Sequence, residues 1–503
     1  MKVHFIGICG VAMSAIAIAF KKAGFDVTGS DAGFFPPVST NLEKHEVKFY
    51  PGWHAEKMIE NGVPDLVIVG NVASSTNPEW LYVQEKKLNY LSYPEAIEKY
   101  FVKENSIVCA GTYGKTTTSA LLAWVLSECG YNPSYMFGGI AVDDFDSAQI
   151  SDSKYSILEG DEYKTSKWDS GAKFFHYHPT HLLLTDVKWD HADVYPTEQN
   201  YFEAFEKLIE SVPKKGMIVA NEKVEQMAKL SNCHIVTYGF SSSAMYQCSN
   251  VTVDKNGIKF NIIHQNTSYE LRVTSYGDYW AENITGVFAL ACEIGIEPKK
   301  IIEAIGKFKG LKRRLEKRFE NNSITIFDDI AHSSAKAQSV LETLRRYSES
   351  AKSADEESLS KSSKNVSNNA NFKSTEKGSL PASGRVGISW RLICVFEPNT
   401  GNRQPQSEPS YTNAFAAADE VIIPTLTKLK TSDDLHHWDG AELVEIIKKT
   451  HNDVKYIEDD NKLINYLTNQ QNSIIVFCGS HGFRGMIDQL VSKVSNKQSK
   501  HET

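Results

Sequence analysis

Seven residues constrain this chain more than any others: Gly111-Thr112-Tyr113-Gly114-Lys115-Thr116-Thr117. They stand between a β-rich run, Ser106–Ala110, and a helical stretch from about Thr117 to Cys129 that Gly130 stops. A strand that enters a glycine loop and leaves it as a helix belongs in a parallel sheet, because the helix carries the chain back across the sheet face. The glycines let backbone N–H groups turn inward around phosphate oxygens, and the helix N-terminus adds partial positive charge. Lys115 is then placed to reach the outer phosphates and the Thr116 hydroxyl to reach Mg²⁺. The longer form of such a loop has a glycine six residues before the lysine, where this chain has Cys109, so this is the shorter G-x-x-G-K-T form. A glycine turn before an ordinary helix is the competing reading, and the order of strand, loop and helix weighs against it.

The chain makes the same kind of start twice more. Lys2–Ile6 reads as a buried strand, Gly7–Gly10 as a turn, Val11–Ala23 as a small-residue helix and Phe25–Gly29 as a second strand closing at Ser30-Asp31. That βαβ unit predicts a parallel sheet, with Leu66–Gly70 a later strand of it. Its Gly7-Ile8-Cys9-Gly10 is not G-x-G-x-x-G, yet with Asp31 it reads as a nucleotide or diphosphate site. The third start is Ile324–Phe327, followed by Asp328-Asp329, with further strands at Arg391–Phe396, Glu420–Ile423 and Ser473–Phe477. A chain of 503 residues is long enough for several cores. The expected architecture is α/β in three domains: Rossmann-like over 1–105, P-loop ATPase-like over 106–322 and Rossmann-like again over 323–494. A Ser/Lys/Asn/Glu-rich tract at 348–387 is expected to be a disordered insertion in the third domain, and the tail, 495–503, is also expected to be disordered.

Two acidic clusters follow strands of the central domain. Glu159-Gly160-Asp161-Glu162-Tyr163 comes after Tyr155–Leu158, and Asp190-His191-Ala192-Asp193 after His181–Thr185. Carboxylates at the C-terminal ends of strands, beside a phosphate loop, are placed to bind Mg²⁺ or its waters. A solvated acidic turn and a structural histidine are the plainer readings of each cluster alone. His176, His178 and His181 are read as structural or surface residues.

Two phosphate-binding starts in one chain fit one nucleotide-linked substrate and one ATP better than a single dinucleotide. A net charge of −8 argues against a nucleic-acid surface. The eight cysteines include no C-x-x-C pair, as expected of reduced thiols in a cytoplasmic chain. The apolar N-terminus is interrupted by His4, Gly7, Gly10 and Ser14, unlike a signal core, and no stretch has the apolar length to span a bilayer. No membrane partner is expected, and no oligomer interface is legible.

Taken in order, Gly111–Thr118, Glu159–Tyr163, Asp190–Asp193, Phe308–Arg314, Asp328–His332 and Gly479–Gly482 resemble the motifs of the Mur ligases. The likeness covers the chain apart from the insertion and the tail. His4–Met13, Gly29–Thr40, Glu159–Pro179 and Asp190–Pro196 are most similar to the family's peptide-recycling branch. The resemblance implies an ATP- and Mg²⁺-dependent ligase that joins L-Ala-γ-D-Glu-meso-diaminopimelate to UDP-N-acetylmuramate through an acyl phosphate in peptidoglycan recycling. It implies that Gly7, Gly10, Asp31, Asn71 and Asn77 hold the UDP-sugar. Gly111, Thr112, Gly114, Lys115, Thr116 and Thr117 would hold ATP, together with Asn283, Arg314, Asp329 and His332. Lys115, Glu159 and His191 would be catalytic, and Thr116, Glu159 and His191 would be the metal ligands.

Some positions depart from the family pattern. Tyr113 replaces a histidine, Asp186 an asparagine, Lys188 a glutamate and Ser334 a proline. Of the adenine-binding pattern only Asn283 survives, with Tyr279 or Trp280 as stacking substitutes. Asn399 stands where the recycling branch has arginine after Glu-Pro. An L-alanine-adding ligase and an inactive nucleotide-binding relative therefore remain as alternatives.

Overall fold

A computed structural model describes residues 1–34, 36, 38–189, 194–254, 256–349, 390–427 and 436–501. The chain forms two compact units, Met1–Val251 with Lys259–Val273 and Tyr279–Leu311, and Thr252–Ile258 with Thr274–Asp278 and Lys312–Thr503. Among the described residues they carry three sheets, two in the first unit and one in the second.

The N-terminal sheet is wholly parallel, in the order Lys48–Pro51, Asp26–Asp31, Lys2–Ile6, Leu66–Val69, Tyr90–Ser92. Its order reverses between Lys2–Ile6 and Leu66–Val69, whose C-terminal ends open a crevice at Gly7 and Gly70. The helix Val11–Lys22 packs on the sheet through an unbroken buried run, Met13–Phe20. Its small residues allow that close approach.

The second sheet has the order Thr267–Val273, Gly257–His264, Tyr246–Asp254, His234–Gly239, Met217–Asn221, His181–Leu184, Asn105–Ala110, Tyr155–Gly160, Ser134–Met136, Ala148–Gln149. Its centre is parallel, and Asn105–Ala110 lies between His181–Leu184 and Tyr155–Gly160. The ends of these three strands therefore point the phosphate loop and Glu159 into one region. One apolar cluster joins these two sheets' domains, from Val3, Phe5 and Phe20 to Leu158, Leu182 and Phe205.

In the second unit the order is Glu316–Glu320, Ile324–Asp329, Ser473–Gly479, Arg391–Glu397, Glu420–Pro424, Val454–Ile457. Glu316–Glu320 is antiparallel to its neighbour and the rest are parallel. The polar tract 348–387 lies outside the described residues from 350 onward. The expectation of a disordered tail needs correction: the helix Met486–His501 runs straight through the polar stretch after Ser492. Val494 is buried in the core of this unit, and Lys497 Nζ donates to Thr468 O at 3.2 Å and Asn469 Oδ1 at 2.7 Å. One buried valine and one anchoring lysine extend the helix beyond its hydrophobic pattern.

Candidate active site

The helix Lys115–Glu128 starts at Gly114, which has φ +84° and no side-chain cap, and its first turn carries no acidic residue. Its N–H groups and partial positive charge are thus directed at the loop Gly111–Gly114. A side-chain carbon at Gly114 would be strained by that φ and would stand 2.8 Å from Asn283 Oδ1. Asn283 therefore packs directly on the phosphate loop. Thr112 is tied down from the opposite side: its N–H donates to Asp186 O at 2.5 Å and its hydroxyl to Lys188 O at 2.7 Å. The two departures nearby satisfy each other, since Lys188 Nζ lies 3.1 Å from Asp186 Oδ2. Thr117 is buried in the helix's first turn.

Lys115 folds back over the loop, donating to Gly111 O at 2.7 Å and standing 2.9 Å from Glu162 Oε2. Burial alone drags this ammonium down, but Glu162 overrides burial and holds it above its ordinary value. Glu162 is itself fully buried, and the Tyr201 hydroxyl donates to its Oε1 at 3.3 Å. At the next residue, the Thr116 hydroxyl donates to Glu159 Oε1 at 2.6 Å, and Gly138 N–H donates to Glu159 Oε2 at 2.6 Å. Glu159 is the penultimate residue of its strand rather than part of the turn after it. His191, with the rest of 190–193, lies outside the described residues.

A cleft of about 260 Å³ connects this region to the first domain's crevice. Gly7, Gly10, Gly70 and Asn71 line one part of it; Tyr93, Met136 and Tyr177 line its flank; Glu159, Asp161, Thr165 and Lys173 line the other part. Gly7 has φ +89°, and a side-chain carbon there would meet Val72 Cγ2 at 2.5 Å. Asp31 accepts from Cys9 N–H at 2.8 Å and Ala32 N–H at 2.7 Å, fixing the Gly7–Gly10 turn. Burial pushes its carboxyl up and those two N–H groups oppose the shift. Asn77 is buried and caps the helix Pro78–Glu85, accepting from Glu79 N–H and Trp80 N–H at 3.0 Å. Among the described residues that line the cleft, Asn77 does not appear.

Arg314, Asp329 and His332 belong to the second unit. Leu315 N–H and Ala331 N–H each donate to Asp329 at 2.7 Å. Burial pushes this carboxyl up, and Arg314 opposes that. The His332 ring faces Ile330 O at 2.8 Å, and Asn399 N–H donates to His332 O at 3.2 Å. Asn399 also accepts from Asn402 N–H at 3.2 Å, capping the short turn Thr400–Asn402. Arg313, unremarked in the motif, donates to Ser480 O at 3.0 Å and His481 O at 2.7 Å, which ties down the Gly479–Gly482 loop. Trp280 is 1% exposed and packs toward Phe308, so of the two stacking substitutes it is core and Tyr279 is the one with an accessible face.

The sequence reading missed Glu162 as Lys115's partner and missed Asp161, Thr165 and Lys173 as cleft residues. Glu162 and Asp161 lay within the quoted acidic motif. Lys173 lay in a stretch read only for family likeness, and nothing in its local pattern marks it.

Residues 2–102 match the Mur ligase family catalytic domain and residues 109–291 the Mur ligase middle domain. A relative from Haemophilus influenzae, UDP-N-acetylmuramate–L-alanyl-γ-D-glutamyl-meso-2,6-diaminoheptandioate ligase, is 33% identical over 68% of this chain and 76% of its own. The Escherichia coli protein of that name is 27% identical over 99% of both chains. The crystal structure of a UDP-N-acetylmuramate–alanine ligase from Thermotoga maritima superposes with a TM-score of 0.74, at 22% identity, covering 99% of this chain and 100% of that one; it supports the three-domain fold. The chain belongs to the Mur ligase family. It is an ATP-dependent ligase that joins a carboxylate to an amine.

Proposed function

We propose that the protein joins L-Ala-γ-D-Glu-meso-diaminopimelate to UDP-N-acetylmuramate in peptidoglycan recycling, working in the cytoplasm with Mg²⁺ and ATP. The observation that carries this reading is the cleft, which runs from the Gly7–Gly10 turn to the Glu159–Thr116 pair and so connects a diphosphate cradle to a triphosphate cradle. Likeness to the two recycling ligases above supports the choice of amine. Among the described residues no helix is long and apolar enough to cross a membrane.

Gly7, Gly10, Asp31, Asn71 and Asn77 hold the UDP-sugar in this reading, Asn77 from its place at the start of the helix Pro78–Glu85. Gly111–Thr117 and Asn283 hold ATP, and Arg314, Asp329 and His332 are the second unit's nucleotide residues. The domain limits 1–105, 106–322 and 323–494 are part of the same proposal. The donor set fits Mg²⁺: a hydroxyl and a carboxylate in contact are hard oxygen ligands, and this ion is typically held by one or two carboxylates and substrate phosphates. Thr116 and Glu159 would hold it, with His191 the third proposed ligand. When bound, the ion neutralises phosphate charge.

Lys115 exchanges Glu162 for phosphate oxygens without losing a partner, which keeps its charge in place before ATP arrives. The lactyl carboxylate, lying along the cleft, attacks the γ-phosphorus; the bond to the β–γ bridging oxygen breaks, so ADP leaves and an acyl phosphate forms. The neutral amine then adds to the acyl carbon, its nitrogen releases a proton to solvent, and the C–O bond to phosphate breaks so that inorganic phosphate leaves and the amide forms. The backbone N–H groups at the helix start stabilise the charge that develops on the phosphoryl oxygens.

The test is phosphate release from Mg-ATP with UDP-N-acetylmuramate and the tripeptide, L-alanine or no amine. Release with the tripeptide alone supports the proposal. Preference for L-alanine would replace it with the alanine-adding reading, which Asn399 at the Glu397-Pro398 turn keeps open. No release with any amine would favour a nucleotide-binding relative without ligase activity.

A further inference from the structure

The segment Tyr163–Lys173 is a hairpin-like loop that reaches from the second sheet's domain to the first. Lys173 N–H donates to Tyr163 O at 2.9 Å and Thr165 N–H to Gly171 O at 2.8 Å, with Lys164 and Ala172 paired between them. At its tip Trp168 stacks on Trp80, with ring centroids 5.3 Å apart and planes 19° from parallel, and Tyr90 packs edge-on at 5.4 Å. Its base contributes Thr165 and Lys173 to the cleft.

Among the described residues, Lys173 is the one cation that lines the cleft, and it shares its part of the wall with two carboxylates, Glu159 and Asp161. Glu159 is already satisfied by the Thr116 hydroxyl and Gly138 N–H. Asp161 accepts from Lys173 Nζ at 2.6 Å and from Tyr163 N–H at 3.0 Å. Thr165 is 1% exposed, and its Oγ1 has no hydrogen-bond partner among the described residues. A buried hydroxyl left without a partner is costly, so its place on the cleft wall points to a ligand that supplies one. A carboxylate substrate moving toward the phosphate loop must pass Glu159 and Asp161. Like charges at such separations repel strongly in a partly desolvated cleft, and a cation with spare donors removes that barrier. An ammonium has three donors, and Asp161 accounts for one.

We propose that Lys173, assisted by the Thr165 hydroxyl, recognises the carboxylate of the acyl donor in the cleft and positions it for attack. The proposal rests on the reading that this cleft takes the UDP-sugar, and it adds the residue that distinguishes an acidic sugar from a neutral one. Lys173 is a positioning and specificity residue, separate from Lys115, which serves the phosphates.

The experiment is calorimetric titration of the full chain, without ATP, with UDP-N-acetylmuramate and with UDP-N-acetylglucosamine, which keeps the diphosphate but lacks the lactyl carboxylate. Lys173→Gln should weaken binding of the acidic sugar by about 10- to 100-fold, the effect of losing one charged hydrogen bond. It should leave the neutral sugar's binding unchanged, which also reports that the cleft is intact. Lys173→Arg should retain most of the affinity. Because Lys173→Gln also unmasks Asp161, the double variant Lys173→Gln/Asp161→Asn separates recognition from masking, and the loss should persist in it. Full recovery in the double variant would overturn the proposal, reducing Lys173 to a counter-ion for Asp161. An equal loss for both sugars would also overturn it and assign Lys173 to the diphosphate or to the fold. If the unaltered chain binds neither sugar, the reading of the cleft itself fails, and the proposal fails with it.

Discussion

Lys115 and Glu162 form an ion pair in which the carboxylate is fully buried, so the two cannot be exchanged independently. Lys115→Ala should lower turnover by at least about 100-fold, the order of losing one preorganised charge-stabilising donor. It should also destabilise the nucleotide-free protein by on the order of 3 kcal/mol, because Glu162 keeps its burial and loses its cation. UDP-N-acetylmuramate binding should survive; joint loss of both bindings would argue against separate sites. In the second unit, burial pushes Asp328 from 3.8 up to about 6, against the opposing charges of Arg313 and Arg318. Between those values the folded chain keeps a proton that the unfolded chain has released. The group's contribution to stability is therefore full below about pH 4, and is lost as pH rises through about 6. The stability advantage of the unaltered chain over Asp328→Asn should fall across that window in urea unfolding. A difference independent of pH would mean that this carboxyl titrates alike in both states. Glycines, Lys115 and Glu159 were legible in the sequence because their chemistry needs fixed spacing along the chain. Glu162's pairing and Lys173's place in the cleft were not, since both depend on contacts across 47 and 12 residues.

At the scale of elements, the central strands were legible because burial on both faces makes them continuous apolar runs, as in Leu66–Val69 and Ser473–Gly479. Where a strand ends in acidic residues, the expected C-terminal limit falls short of the observed one. Glu159, Asp328 and Asp329 are polar, yet they continue the ladder, because parallel pairing is made by the backbone and does not stop at the first acidic side chain. The last turns of the final helix were missed for a related reason: after Ser492 its sequence is polar but for Val494, and what holds that stretch is this buried valine and the Lys497 anchor. The Tyr163–Lys173 hairpin has little apolar sequence of its own; its backbone pairing holds the base and Trp168 on Trp80 anchors the tip. Trp168→Ala should cost about 1 kcal/mol of stability. It should also weaken UDP-N-acetylmuramate binding, measured by calorimetry, through the loosened base of the hairpin. Unchanged affinity would show that the base is held without its tip.

For the whole molecule, the three-domain α/β plan followed from three strand-to-loop starts, and each lies in a different sheet of the structure. The tract 348–387 was set apart by composition alone, which lacks the apolar residues needed to join any of these cores. A chain lacking 350–387 should keep its turnover and melting temperature, checked by phosphate release and calorimetry; a large fall in either would show that the tract packs. The first unit is crossed by the tryptophan stack, with Trp168 still 42% exposed at its outer face. Two indoles held nearly parallel couple their electronic transitions, and such coupling decays steeply with separation. The protein therefore carries its own optical gauge: a circular-dichroism couplet from Trp80 and Trp168 would report, with no label attached, whether the hairpin is seated or lifted as each substrate is added.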